Sequence, residues 1–460
     1  MFEVEAIEEE LEKINLKKAT ANDGIPKKIY KYGCKSFAEP LCNIFNTSII
    51  TAKVPDLWKI NHIIPIPKTE PAKIDSLRPI SLLPTPIRIF ERLMINKLKL
   101  EAKKSIQLNQ FGFRENSSTT CALIYILNEI TLMLDNPNNI SVTVLSFDLS
   151  KAFDCVNHTK LIEKLQSFFP IPITNWLADY LYNRKQKVIF NNTESKLRNV
   201  KSGVPQGSIL SPFLFNIYTD DLDIEKPNKI VKYADDTTFI IPQKTENSNE
   251  VAVITNHFIN WCSGNDLVLN NTKTQSICIQ NKSSLSKKNK ESIKLLGMYI
   301  QNDLKWDRHI NYITRKCNSR LYILRKMKSM VNKNQQINLF NGLISSLLEY
   351  GCSVYGKLRK LDENKLDKII NRAHKTICGV NCKNKCLSNF HERQIKLSTN
   401  LLLNIEKNEN HILHNFIPKR FKRSKHFLLE NITSTRRENQ FFPFMSLTLN
   451  SLREKMSNHS

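Results

Sequence analysis

The sequence predicts an α+β protein: a central region of roughly 240 residues in which strands and helices interleave, followed by a basic, mainly helical region. Three observations carry that expectation. Alternating β-branched runs such as ISVTVLSF, 140–147, read as strands. Amphipathic runs such as AIEEELEKINLKKA, 6–19, repeat apolar residues at helical spacing. From about residue 305 onward, helical patterns carry long Lys and Arg faces.

In chain order, residues 1–50 read as helices, punctuated by a turn and helix start in ATANDGIPKKI, 19–29. INHIIPIPK, 60–68, is a strand ended by prolines, and 77–100 is a loop feeding a helix from about Pro86. The loop NQFGFRENSSTT ends in N-cap residues and leads into a second long helix. The strand 140–147 runs directly into DLSKAFDCVNH, and helices follow around 158–168 and 173–183. KQKVIFNN and ESKLRNVKSGV are the arms of a hairpin, and SPFLFNIYTDDL is helical. KIVKYADDTTFII, 229–241, is two short strands around a turn; 250–270 is a helix ending in a loop; QSICIQ and IKLLGMYI are further strands. The polar run NKSSLSKKNKES, 281–292, is expected as an exposed loop, and no 20–50-residue repeat occurs.

Lys plus Arg number 68 against 43 Asp plus Glu, a net charge of +25. Such a surplus points to a polyanionic partner, of which nucleic acid is the commonest. The 11 cysteines form no tight framework, which predicts a reducing, intracellular location. No run reaches the ~18 apolar residues of a membrane span, and the acidic N-terminus does not read as a signal peptide. Glycine is scarce, 11 in 460, so Gly203 and Gly207 within SGVPQG are informative.

Asp148 ends a predicted strand, while Asp235 and Asp236 sit at the turn of a strand pair. Carboxylates converging at strand ends repel one another unless a cation neutralises them. Hard oxygen donors select Mg²⁺, and two-metal chemistry needs two ions held close together.

The motifs, in order, resemble those of non-LTR retrotransposon reverse transcriptases of the jockey-like type. LKKATANDGIP resembles the N-terminal extension motif, IIPIPKTEPAKIDSLRPISLLPTPIRIFERLMINKL the first fingers motif and NQFGFRENSSTTCAL the second. FDLSKAFDCVNH, SGVPQGSILSPFLFNIYTDDL and YADDT resemble palm motifs A, B and C. GNDLVLNNTKTQSI resembles motif D, IKLLGMYI the primer grip and LLEYGCSVYG a thumb segment; the match runs from about residue 15 to about 360.

The resemblance implies a right-hand polymerase with fingers, a palm whose antiparallel sheet carries the aspartates, and a helical thumb. The expected divisions are an N-terminal extension at 1–47, fingers and palm at 48–301, a thumb-like region at 302–400 and a basic tail at 401–460. It implies RNA-directed synthesis from a DNA primer with dNTPs and two Mg²⁺, Mn²⁺ substituting, with the nucleus the site of target-primed synthesis and the cytoplasm that of translation. Asp148 and Asp235 are then the main metal ligands, supported by Asp236 and the Leu149 carbonyl. Phe153 lies under the nucleotide sugar and excludes a 2′-hydroxyl, or is a core aromatic; Asp154 caps a helix or makes a structural contact. Lys68 and Arg78 grip the triphosphate, with Lys68 alternatively a surface lysine. Gln206 packs on the base pair or sugar-phosphate, and Gly203 and Gly207 let the backbone pass close to nucleotide and template. Arg114 touches template backbone or triphosphate; Leu296 and Gly297 belong to the primer grip; Lys273 is a proton donor to pyrophosphate or a solvated lysine.

Basic helices such as RHINYITRKCNSRLYILRKMKSM fit phosphate contacts along a duplex, and PKRFKRSKHF, 418–427, fits nucleic acid or a nuclear localisation patch. Cys378, Cys382, Cys386 and His391 have C-x3-C-x3-C-x4-H spacing, which matches no standard zinc knuckle and reads as ordinary helical thiols, with a zinc site through His391 the less favoured alternative. The chain begins almost at the polymerase and shows no RNase H pattern, so a polymerase portion without an endonuclease is expected. The alternatives are a catalytically inactive remnant that only binds nucleic acid, and an intron-encoded maturase; the intact aspartates and the fingers motif weigh against each.

Overall fold

The structure is a computed structural model and describes the chain except residues 20–22, 69–70, 72–76, 103–105, 246–247, 281–290, 380–385, 421–425, 429–433 and 458–460. Two units share the chain. Met1–Phe113, Asp148–Asp223 and Thr255–Asn271 form the first; Arg114–Phe147, Ile224–Ile254 and Thr272–Ser460 form the second.

In the first unit, the strand Ile60–Pro67 lies between an antiparallel neighbour, Leu77–Leu82, and a parallel one, Lys185–Phe190. Short strands Thr193–Glu194 and Arg198–Asn199 both pair antiparallel with Lys185–Phe190, closing the expected hairpin. The strand Leu77–Leu82 corrects the expectation of a loop. Pro79 hid it, but on an edge strand a proline forfeits no ladder bond that a second neighbour would need. The helix Cys34–Thr51 brings Phe45 into a buried aromatic cluster, stacked on Phe90 at 4.5 Å with Trp176 5.1 Å from Phe90. Trp176 Nε1 also donates to Ser48 Oγ at 3.0 Å. The expected division at 47/48 therefore falls inside a helix whose two halves enter one core.

The buried Glu91, on the helix Thr85–Glu101, accepts from Tyr180 Oη at 2.6 Å and from Ile209 N–H at 2.8 Å. Burial pushes its carboxyl above the ordinary range, with those two donors opposing the shift. This network ties the segment after SGVPQG to the helix behind it.

In the second unit, a four-stranded antiparallel sheet runs in the order Gln275–Gln280, Ser141–Phe147, Asp236–Gln243, Lys229–Tyr233. The two central strands are almost wholly buried, which is why they read as continuous apolar runs. The helix Thr119–Asp135 begins as its sequence predicts, with the Ser118 hydroxyl accepting from Cys121 N–H. IKLLGMYI is a hairpin, not one strand: Ser292–Leu295 pairs with Met298–Gln301 around Leu296 and Gly297. The basic helix Asp307–Met327 buries Ile310, Ile313, Cys317, Leu321 and Leu324 against the helix Lys360–Cys378. The tail is more than a basic arm: Leu413, Phe427, Phe441, Phe442 and Met445 are buried, and Arg420 pairs with Glu406. The polar run's residues 281–290 and the basic patch's residues 421–425 lie outside the described residues.

His309 links the hairpin to the basic helix. Its Nδ1 accepts from Tyr299 N–H at 3.3 Å, among the rings of Trp306, Tyr312 and Tyr355. Burial holds the imidazole down, from an ordinary 6.5 to about 4. The folded state thus binds fewer protons than the unfolded state between those values. Stability from this group is complete above pH 6.5 and is lost as pH falls toward 4, by roughly 3 kcal/mol. Urea melts of wild type and His309→Phe from pH 7 to pH 4 should therefore differ in slope, with the variant's pH dependence the flatter by that amount.

Candidate active site

The YADD stretch is a tight hairpin. Tyr233 pairs with Asp236, leaving Ala234 and Asp235 as a two-residue turn. Ala234 takes φ +57°, the positive value that such turns use to match the strands' twist, at a position where glycine is the easier residue. Asp235 is thereby set at the hairpin tip and Asp236 at the first paired position of its strand, both half-buried. Within the same sheet, Phe147 lies opposite Thr237. The strand that ends just before Asp148 in sequence therefore ends where the strand starting at Asp236 begins.

In the first unit, Asp148 leads into the two-residue strand Leu149–Ser150, paired with Val268–Leu269. The next residue, Asn270, grips Asp148 twice: its N–H donates to the Asp148 carbonyl at 2.9 Å, and its Nδ2 donates to Asp148 Oδ2 at 3.2 Å. Asn270 lies within the stretch resembling motif D, and sequence reasoning misses it as a site residue. Its signal was only its place one residue past a short apolar run.

SGVPQG folds against the segment after Asp148. Gly203 N–H donates to Val156 O, Val204 N–H donates to Phe153 O, and a Cβ at Gly203 would sit 2.8 Å from the Asp154 backbone. On the other side, Ser81 N–H donates to Gln206 O, and a Cβ at Gly207 would be 2.9 Å from Ser81 O. Backbone packing within the protein thus requires glycine at both positions. Gln206 Nε2 donates to Asp154 Oδ1 at 2.9 Å, the structural contact foreseen for Asp154. Burial pushes the Asp154 carboxyl up, opposed by Gln206, Lys151 and Lys68.

A cavity of about 540 Å³ opens here, with Ile63, Pro65, Val188 and Phe190 as its apolar wall and Lys68, Arg78, Lys151, Asp154 and Gln206 as its polar lining. Strand register accounts for two of the cations. Arg78 faces Ile66, and Lys68 follows Pro67, the partner of Leu77. Three cations against one carboxylate make the cavity a place for an anion. Lys151 was missed by sequence reasoning; it takes φ +49° as the N-cap of the short helix Ala152–Cys155. Phe153 stacks on Phe215 at 4.6 Å, meets Phe113 edge-to-face at 6.1 Å and remains partly exposed.

The other expected residues stand apart from this cavity's lining. Lys273 is exposed on the turn before Gln275–Gln280. Arg114 is half-buried ahead of the helix Thr119–Asp135, and burial lowers its guanidinium's affinity for its proton. Leu296 and Gly297 take φ +43° and +87° at their hairpin tip. A left-handed leucine costs about 1–2 kcal/mol, and Tyr350 Oη steadies it by donating to Leu296 O at 2.7 Å. His391 lies 3.7 Å from Glu363, and Cys382 is outside the described residues.

The sequence model of the family described as "Reverse transcriptase (RNA-dependent DNA polymerase)" matches residues 66–300. The chain is 27% identical over 404 residues to the RNA-directed DNA polymerase from mobile element jockey of Drosophila melanogaster, covering 82% of this chain and 44% of that protein. It is also 27% identical over 404 residues to the probable RNA-directed DNA polymerase from transposon BS of the same organism, covering 81% and 44%. The chain thus spans less than half the length of these relatives. Among solved structures, a telomerase from Candida tropicalis in complex with a fragment of telomeric RNA shows a TM-score of 0.43 at 14% identity, covering 82% of this chain and 66% of that one. The α+β fold expected of a right-hand polymerase and the jockey-like resemblance both stand, and with just over half its length matched, the chain belongs to the reverse transcriptase (RNA-dependent DNA polymerase) family.

Proposed function

We propose that the chain is the polymerase portion of a non-LTR retrotransposon, extending a DNA primer 3′-hydroxyl with dNTPs on an RNA template. The observation that carries this reading is the register of the sheet: the strand preceding Asp148 ends where the strand headed by Asp236 begins, with Asp235 at the adjoining turn. Asp148, Asp235, Asp236 and the Leu149 carbonyl offer hard-oxygen donors, the kind that Mg²⁺ or Mn²⁺ takes. Held by these residues, such ions would neutralise the carboxylates and would polarise phosphoryl oxygens.

The chain's own residues do the rest. Arg78, Lys68 and Lys151 take the triphosphate in their cavity, where fixed cations meet charge that develops on the leaving pyrophosphate. Phe153, buttressed by Phe215, offers its accessible face to the sugar and rejects a 2′-hydroxyl. Gln206 holds Asp154, so that the cavity floor is set before the nucleotide arrives. Asn270 orients Asp148 by holding one carboxylate oxygen. Lys273 donates the proton to pyrophosphate, and Arg114, Leu296 and Gly297 contact template or primer.

Incorporation of dTTP on poly(rA)·oligo(dT) with Mg²⁺ tests the reading. Wild type should synthesise DNA and Asp235→Ala should lose about 10³-fold or more; duplex binding without synthesis in wild type would leave only the nucleic-acid-binding remnant. Arg78→Ala should raise KM for dTTP about tenfold or more with a smaller change in kcat, as steady-state kinetics at saturating duplex would show. Asn270→Ala should lower kcat about 10–100-fold and raise the Mg²⁺ concentration for half-maximal rate. Its thermal midpoint and duplex affinity should match wild type.

A further inference from the structure

The cysteine cluster that the polymerase reading leaves unused comes together in the fold with a different histidine. His374 and Cys378 are four residues apart on the helix Lys360–Cys378, so they share a face. Cys386 returns to that face: His374 Nδ1 is 3.1 Å from Cys386 Sγ, and one ligand atom from each of the three residues lies within 4.8 Å of the others. His391, the histidine that the spacing suggested, is turned to Glu363 instead.

We propose that His374, Cys378 and Cys386 form a zinc site. Zn²⁺ takes imidazole and thiolate donors at about 2.0–2.3 Å in tetrahedral array, which puts neighbouring donors roughly 3.3–3.8 Å apart. The His374–Cys386 separation of 3.1 Å is a few tenths of an ångström shorter than that edge, and Cys386 is exposed, so its Sγ can shift to meet an ion without disturbing the core.

The donors stand on rigid supports. Ala373 and Ile377, beside His374 and Cys378, are buried, as are Leu387 and Phe390 just beyond Cys386. The helix Phe390–Lys407 is capped by Asn389, and Phe390 N–H donates to Asp367 at 2.8 Å. Both flanks of the site are thus fixed by packing, as a preorganised metal site requires. Binding releases the two thiol protons to solvent, so the two thiolates cancel the ion's charge. The neutral complex adds nothing to the positive field of the nearby Arg372 and Lys375. Three donors leave one tetrahedral position for water or a further ligand. The ion clips the residues after the helix's C-terminus back onto the helix.

The test uses the full chain, reduced, stripped with EDTA and titrated with Co²⁺ in excess Mg²⁺, which occupies carboxylate sites. Wild type should bind one equivalent with thiolate-to-cobalt charge-transfer absorption and tetrahedral d–d bands, and Zn²⁺ should displace it. Cys386→Ser and His374→Ala should each weaken binding at least about tenfold, while His391→Ala should bind as wild type. Because Cys386 is exposed, its serine variant reports on ligation rather than on folding. No thiolate band in wild type would overturn the proposal. So would a band undiminished in both His374→Ala and Cys386→Ser, or a Cys378–Cys386 disulfide forming with no metal uptake.

Discussion

The structure around the aspartates depends on one constraint, the pairing of Ser141–Phe147 with Asp236–Gln243. Both strands are buried along nearly their whole length, so a slip by one residue would turn their core side chains to the wrong face. That register is therefore strongly specified, and the ends of the strands are specified with it. The turn that follows from it is only two residues long, and Ala234 must accept a left-handed backbone to make it. The apolar core thus supplies what holds two adjacent carboxylates at a hairpin tip against their mutual repulsion.

The anion cavity of the first unit is assembled by a comparable device. SGVPQG has no regular secondary structure of its own, yet each end is bonded to another backbone, Val156 and Phe153 on one side and Ser81 on the other. Behind it, Glu91, Tyr180 and Ser208 form a buried polar network whose donors and acceptors are matched. A loop held this way keeps Gln206 and Asp154 in one arrangement, while the cations Lys68, Arg78 and Lys151 remain open to a ligand. Rigid backbone and accessible charge are what recognition of a polyphosphate asks of a surface.

The basic surplus serves two roles in the second unit. On the helix Asp307–Met327 the cations lie opposite a continuous buried stripe, so they are the outer face of a packed element. Lys294, Arg308 and Lys316 lie over Tyr299 or Tyr312, which spreads positive charge over an aromatic surface. In the tail, Arg420 is used internally, paired with Glu406 and stacked over Phe427 at 4.0 Å.

Patterning and turn chemistry, both local, determined much of this protein. The long helices, the strand 140–147 and the hairpin at YADD were all legible, because each rests on periodicity or on residues adjacent in sequence. Only the tertiary structure decided the rest. The strand Leu77–Leu82 exists because Ile60–Pro67 lies beside it, a partner that a proline-containing run cannot announce. Gly203 and Gly207 are held to glycine by Asp154 and Ser81, dozens of residues or more away in sequence. Asn270 meets Asp148, and His374 rather than His391 meets Cys386, because pairing and chain return bring together groups that no spacing connects. Side-chain partnerships between distant segments depend on register and packing, and those are settled by the whole buried surface at once.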